Sequence, residues 1–396
     1  MGEPRLGWMS DALGDSPTLK LSGQAKALRA AGEPVVNLTA GEPDFTTPLP
    51  ICEAAHKAID DGHIGYTAAA GMPQLRERVA EYYAERMGVP IKPSEVIISN
   101  GAKQILYNAL SMLLDHGDEV AVPVPYWVTY PAQITALRGR MIPIIPTQPG
   151  WKITAEDLER AGAGRAKALI FNTPSNPSGA VYTRKELEDL AEYFRKTSFF
   201  ILTDEIYEDL VYTEEGHVPL MTLAPDLRHR IVTVSGLSKS YAMTGWRVGF
   251  GIADEKTISA MTRLQSHSTS NVNTIAQKAS LVAFDCRDEV ETMAKAFKRR
   301  RDVLVEEMSG IPGLEFNVPD GAFYLLADIR GLLAEDRQVG GCMRLAKHLL
   351  ETEMVAVVPG EPFGVPNHLR LSYADSEETL REAGVRFRRA LETFGG

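Results

Sequence analysis

An α/β architecture is expected: a mostly parallel central sheet in a large domain, with a smaller α+β domain beside it. Two observations lead there. Through the middle of the 396 residues, short apolar runs alternate with helical patterns. From about residue 288 the pattern changes to a charged helical stretch, strand-like runs and a closing amphipathic helix.

Element by element, Glu95–Ser99 reads as a strand. It leads through Asn100, Gly101 and Ala102 into a helix whose apolar positions Ile105, Leu106, Ala109, Leu110 and Leu113 recur at helical spacing. Val120–Val124, Ala168–Phe171, Phe199–Thr203, Ile231–Ser235 and Val248–Ile252 follow as further strands. Each is short and largely apolar, and most are rich in branched residues, as strands covered on both faces must be. Residues 288–309 carry Glu289, Glu291, Lys295, Lys298 and Arg299–Arg301, the pattern of a helix with a solvated face. Ala322–Ala327, Met354–Val358 and Leu369–Tyr373 read as strands, and Ser376–Thr393 as the last helix. The expected division is 49–288 for the large domain, and 1–48 with 289–396 for the small one.

Composition narrows the function. Hydrophobic residues are 44% and charged residues 24%, ordinary values for a globular protein. The formal charge of −10 argues against a nucleic-acid partner, which needs a basic footprint. Cys52, Cys286 and Cys342 lie far apart, without the spacing of a zinc site or a disulfide framework. The first residues lack the basic end and apolar core of a signal peptide. No run reaches the ~18 apolar residues that would span a membrane. A reduced, cytoplasmic protein is expected.

Four motifs carry chemistry. In Ser235–Gly249 a lysine, Lys239, emerges at the carboxyl end of a strand, where ligands of open α/β sheets sit, and Arg247 follows eight residues on. Such a lysine can capture a carbonyl, and a guanidinium suits a phosphate. In Asn172–Gly179, two prolines and a glycine hold the Asn176 amide at the sheet edge, where it could donate to a phenolic oxygen. Asp204 closes another strand, with Tyr207 three residues on. That carboxylate could pair with a pyridinium nitrogen while the phenol reaches the same ring's oxygen. Finally, the turn Ser99–Gln104 offers backbone N–H groups at a helix start to an anion. Taken singly, each motif has a plain structural alternative: a surface lysine, an Asx turn, an N-cap aspartate with a core tyrosine, an ordinary strand-to-helix turn. Neither a nucleotide P-loop nor a dinucleotide fingerprint is present, so one phosphate fits better than two. Together the four supply a carbonyl-capturing amine, a counter-ion for a ring nitrogen, donors to a ring hydroxyl and a phosphate cup. This is the inventory for pyridoxal phosphate.

On these motifs the sequence resembles the fold-type I pyridoxal-phosphate enzymes, specifically subgroup Ib of the class-I aspartate aminotransferase family. The resemblance extends from Leu38–Phe45, through Gly65–Thr67 and Pro125–Pro131, to Asn367–Tyr373. It implies that Lys239 is the Schiff-base lysine and proton carrier, and that Asp204 partners the ring nitrogen. Asn176 and Tyr207 would bind the ring hydroxyl oxygen and Trp127 would stack on the ring. Gly101, Ala102 and Arg247, with Ser238, would hold the phosphate, and Tyr66 would reach it across a homodimer interface. Arg370 would fork the substrate α-carboxylate, with the Gly41 backbone and the Trp127 and Asn176 side chains close to the substrate. Lys103 belongs to the same cofactor-side cluster and, in this subgroup, can meet a distal carboxylate. Where the wider family often has serine three residues before the lysine, this chain has Gly236. Members that accept prephenate tend to carry a further basic residue near the N-terminus, and Leu13–Ser16 offers none. The implied reaction is ping-pong transfer of the amino group of an amino acid, with aspartate or glutamate favoured, to a 2-oxo acid such as 2-oxoglutarate. A pyridoxal-phosphate eliminase, cyclase or decarboxylase is the alternative.

Overall fold

The computed structural model describes residues 5–14, 17–334 and 339–395, and the side chains of all of these but 17–20. Asp15 and Ser16, which enter the prephenate argument, lie outside the described residues. Thirteen strands are described: β1 (Val36–Asn37), β2 (Val96–Ser99), β3 (Glu119–Pro123), β4 (Arg140–Ile144), β5 (Ala168–Asn172), β6 (Phe200–Asp204), β7 (Ile231–Gly236), β8 (Gly249–Ile252), β9 (Glu315–Phe316), β10 (Tyr324–Asp328), β11 (Val355–Ala356), β12 (Val358–Pro359) and β13 (His368–Ser372). Seven of them form the central sheet, in the order β2-β8-β7-β6-β5-β3-β4. Only β8 runs against its neighbours.

Strand residues alternate between two cores, because successive side chains leave a pleated strand on opposite faces. Ile98, Ala121, Leu169, Phe171 and Ile201 pack into one cluster with the helices Pro73–Met87 and Arg184–Arg195. Ile97, Val120, Val122, Ile170 and Leu202 pack into another with Ala102–Leu113 and Glu255–Ser268. Both faces are therefore dry, which is why these strands read as continuous apolar runs.

The edge strand β4 escapes such a reading. Its residues alternate between exposed and covered, and Pro143 interrupts it, as an edge permits. The expected strand 354–358 is split. Met354 takes a left-handed conformation, β11 pairs with β1, and β12 joins β13, β10 and β9 in an antiparallel sheet. That sheet shares a third core with Arg287–Met308, Gly341–Glu353 and Glu377–Thr393, through residues such as Phe297, Leu325, Leu349, Leu371 and Phe387. Among the described residues no helix is long and apolar enough to cross a membrane.

Candidate active site

The carboxyl ends of β2, β3, β5, β6 and β7 share one edge of the central sheet. The chain leaving them lines a cavity of about 610 Å³, whose far wall includes Tyr324 from β10 and Arg370 from β13. Lys239, Asp204, Asn176 and Tyr207 all line it. So do Ala102, Lys103, Trp127, Ser238 and Arg247, together with Gly41 and Arg370. Tyr66 does not: it is 95% exposed on this chain.

Lys239 follows the end of β7 and donates from Nζ to the Gly41 carbonyl at 2.6 Å. Desolvation by the cavity walls, aided by the charges of Arg247 and Arg370, lowers its amine to about 8. About a tenth of it is thus uncharged at pH 7, far more than of an ordinary lysine, as a carbonyl-capturing amine requires. Asp204 ends β6. Tyr130 donates its hydroxyl to Oδ2 at 2.7 Å, and the Ile206 N–H reaches Oδ1 at 3.3 Å. No cation lies within ion-pair range among the described residues. Burial pushes this carboxyl up to about 6, and the two hydrogen bonds only partly offset it.

That shift has a testable consequence for the cofactor-free chain. Between an ordinary value near 3.8 and about 6, the folded state still holds a proton that the unfolded state has released. The stability at stake at Asp204 therefore falls as pH rises through this window, by about 3 kcal/mol. Denaturant melts of the parent and Asp204→Asn at pH values spanning the window should differ by that slope. Parallel pH dependences would contradict the argument.

Asn172 fixes the turn after β5. Its amide nitrogen donates to the Asp204 carbonyl at 2.8 Å, and its Oδ1 accepts the Asn176 N–H at 2.9 Å. The Asn176 Oδ1 in turn accepts from Arg370 Nη1 at 3.1 Å. This commits the carbonyl end of that amide and leaves its NH2 group to donate into the cavity. The Tyr207 hydroxyl lies 3.0 Å from that of Tyr324.

The anion cup is a close approach of three backbones. Gly101, at φ +83°, caps the helix Ala102–Leu113, and a Cβ there would run into the Arg247 guanidinium. A Cβ on Gly249 would collide with the backbone of Gly101 and Ala102. Arg247 is held by the Thr244 carbonyl at 2.8 Å and the Asn100 carbonyl at 3.2 Å. Both contacts leave its charge unmatched, beside a helix N-terminus that favours anions. A Cβ on Gly236 would stand 2.9 Å from Gly249 Cα and the Val248 carbonyl, so no serine fits at that position.

Arg370 is 4% exposed and lies between the rings of Tyr324 and Phe363, 4.4 and 5.0 Å from their centroids. Its Nη2 donates to the Thr39 carbonyl at 3.1 Å, and its Nε has no hydrogen-bond partner. No carboxylate pairs with it among the described residues, so a purely structural ion pair is excluded. A buried guanidinium without an anion is costly unless a ligand supplies one.

The sequence reading gave no role to Tyr130, Tyr324 or Asn172. Tyr130 lies within the stretch Pro125–Pro131, three residues beyond Trp127, but a tyrosine there is indistinguishable from a core aromatic until Asp204 is seen against it. Tyr324 sits in a strand run with no mark of function.

Residues 33–387 match the family model for aminotransferases of class I and II. The chain belongs to this family. An aspartate aminotransferase of Geobacillus stearothermophilus is 43% identical, over 96% of this chain and 97% of the relative. An aspartate/prephenate aminotransferase of Cereibacter sphaeroides is 41% identical, over 96% of this chain and 98% of the relative. A Thermus thermophilus aspartate aminotransferase structure with maleate superposes with a TM-score of 0.91 at 41% identity, covering 98% of this chain and all of that one. This aminotransferase therefore has the fold-type I architecture and works with pyridoxal phosphate. The residues lining the cavity suit that group. The cradle of Gly101, Gly249 and Arg247 fits one phosphate, and Asp204 is a buried anion with no cation of its own.

Proposed function

We propose that this aminotransferase exchanges the amino group of aspartate or glutamate with a 2-oxo acid such as 2-oxoglutarate, as a homodimer. The observation that carries the substrate class is Arg370, a buried and unmatched cation on the cavity wall. Lys103 supports a second carboxylate. It lines the same cavity, with its ammonium 4.8 Å from the Trp127 ring centroid. Relatives named aspartate aminotransferase, and the Thermus structure holding a dicarboxylate, support the same reading.

Arg247, Gly101, Ala102 and Ser238 would hold the cofactor's phosphate. Asp204 would hold the ring nitrogen, Asn176 and Tyr207 the ring oxygen, and Trp127 a ring face. When bound, pyridoxal phosphate supplies the carbonyl that takes the amino group and the protonated ring that draws electrons from the carbon losing its proton. The chain does the rest. Arg370 offers parallel donors to the α-carboxylate and so fixes the orientation of the Cα–H bond. Lys239 would take that proton at Nζ and return it to the cofactor carbon on the other side of the transferred nitrogen. The Gly41 carbonyl accepts a hydrogen bond from the same amine and sets its direction.

The dimer reading rests on Tyr66, an exposed aromatic flanked by exposed Ile59 and Ile64. The two-domain division at 49–288, and 1–48 with 289–396, is supported by the separate cores of the two large sheets. A cytoplasmic setting is supported by three unpaired cysteines.

The test is a half-reaction. With no second substrate present, aspartate and glutamate should convert the bound cofactor to its amine form faster than aromatic or aliphatic amino acids do, as followed by the loss of its visible band. A faster response to phenylalanine or leucine would overturn the dicarboxylate assignment.

A further inference from the structure

Four carboxylates occupy six consecutive positions, Asp204, Glu205, Glu208 and Asp209, and all four side chains are at most 6% exposed or belong to buried residues. Buried anions in such number require matching cations. Asp209 has two, Arg86 at 2.9 Å and Arg287 at 3.0 Å. Glu208 has the Arg86 Nε at 3.3 Å, and its Oε1 accepts from the hydroxyls of Tyr83 and Ser235. Glu205 meets the imidazole of His217, Nε2 to Oε2 at 2.7 Å, and both side chains are 1% exposed. Its other oxygen, Oε1, is buried without a hydrogen-bond partner. Asp204 alone has hydroxyl and N–H donors but no cation.

We propose that Glu205 and His217 form a neutral, proton-sharing pair that leaves Asp204 the single uncompensated carboxylate presented to the cofactor's ring nitrogen. His217 is thereby a positioning residue for the site's charge. This rests on the role proposed above for Asp204. With Nδ1 also protonated, the pair is neutral whether Oε2 or Nε2 holds the shared proton. The other titratable groups around the pair keep their partners when His217 is replaced. These are Glu208 with Arg86 and Tyr83, Asp209 with Arg86 and Arg287, the Tyr82 and Tyr241 hydroxyls against Arg287, and Asp204 with Tyr130. Lys239 faces Asp204 from the cavity side.

In His217→Gln, Glu205 loses its cation. A buried carboxyl next to Asp204 is then left without the partner that kept the pair neutral, and its other oxygen, Oε1, has no hydrogen bond to offset the loss. The cofactor site thus gains a titration that the parent lacks. The experiment follows the absorbance band of bound pyridoxal phosphate, and its dissociation constant, from about pH 5 to pH 9 in the full-length chain. His217→Gln should show an added step across which the dissociation constant changes on the order of tenfold, the equivalent of one pKa unit. The double variant Glu205→Gln/His217→Gln, with neither charge, should lose the step and follow the parent. A His217→Gln profile that superposes on the parent's overturns the proposal, as does a double variant as impaired as the single. Asp204→Asn, run alongside, separates the layers. An unchanged spectrum there overturns the role of Asp204 itself. A changed spectrum there, with a parental one in His217→Gln, overturns only the pair.

Discussion

Lys239→Ala should bind pyridoxal phosphate without a covalent link and lose transamination. The phosphate cradle of Gly101, Gly249 and Arg247 and the carboxylate of Asp204 do not depend on the lysine side chain. Cofactor retention on gel filtration should therefore persist in weakened form. Removing the proton carrier alone costs roughly 10²–10⁴-fold in rate. Loss of the amine that captures the carbonyl adds to that, so steady-state turnover of aspartate with 2-oxoglutarate should drop below detection. Borohydride treatment of the parent should fix the cofactor to the peptide containing Lys239, and should fix nothing in the variant. Labelling at another lysine, or undiminished turnover in the variant, would refute the assignment of Lys239.

Arg370→Lys is expected to separate substrate binding from cofactor binding. The charge survives, but the planar fork does not, and the bonds to Asn176 and to the Thr39 carbonyl cannot both be kept. Losing a hydrogen bond to a charged group costs about 1.5–3 kcal/mol, or roughly 10- to 150-fold in kcat/KM. The loss should be similar for the amino acid and the 2-oxo acid, because both present the same α-carboxylate. The affinity of the bound cofactor, held chiefly by the phosphate cradle and Asp204, should change far less than kcat/KM. Equal damage to cofactor affinity would show that Arg370 organises the whole cavity rather than gripping the substrate.

Much of this molecule could be read from its residues, and the gaps have physical causes. The central strands are dry on both faces, so their apolar runs stand out, and their carboxyl ends deliver Lys239, Asp204 and Asn176 to one edge. The strand β4 hides because an edge strand alternates and tolerates Pro143. The break between β11 and β12 hides because Met354–Val358 is apolar throughout, so hydropathy does not mark Val357 as the point where the chain changes sheets. In the site, residues that act through turn geometry or strand ends were legible, since glycine, proline and a terminal carboxylate are rare in such places by chance. Tyr130 and Tyr324 were not. A phenol buried against a carboxylate and one buried among leucines look the same in one dimension. The unmatched state of Arg370 is likewise a statement about what is absent from its neighbourhood, and only three dimensions can make it.

The fork at 370 belongs to the antiparallel sheet, and the amine at 239 follows a strand of the parallel one. On the roles proposed for these two residues, a bound amino acid would be gripped at both ends and would crosslink two separately packed cores. Occupancy is then written into the rigidity of the whole protein. Substrate analogues with a carboxylate should slow amide exchange in both halves together, whereas the vitamin alone should quieten only the half that carries the lysine.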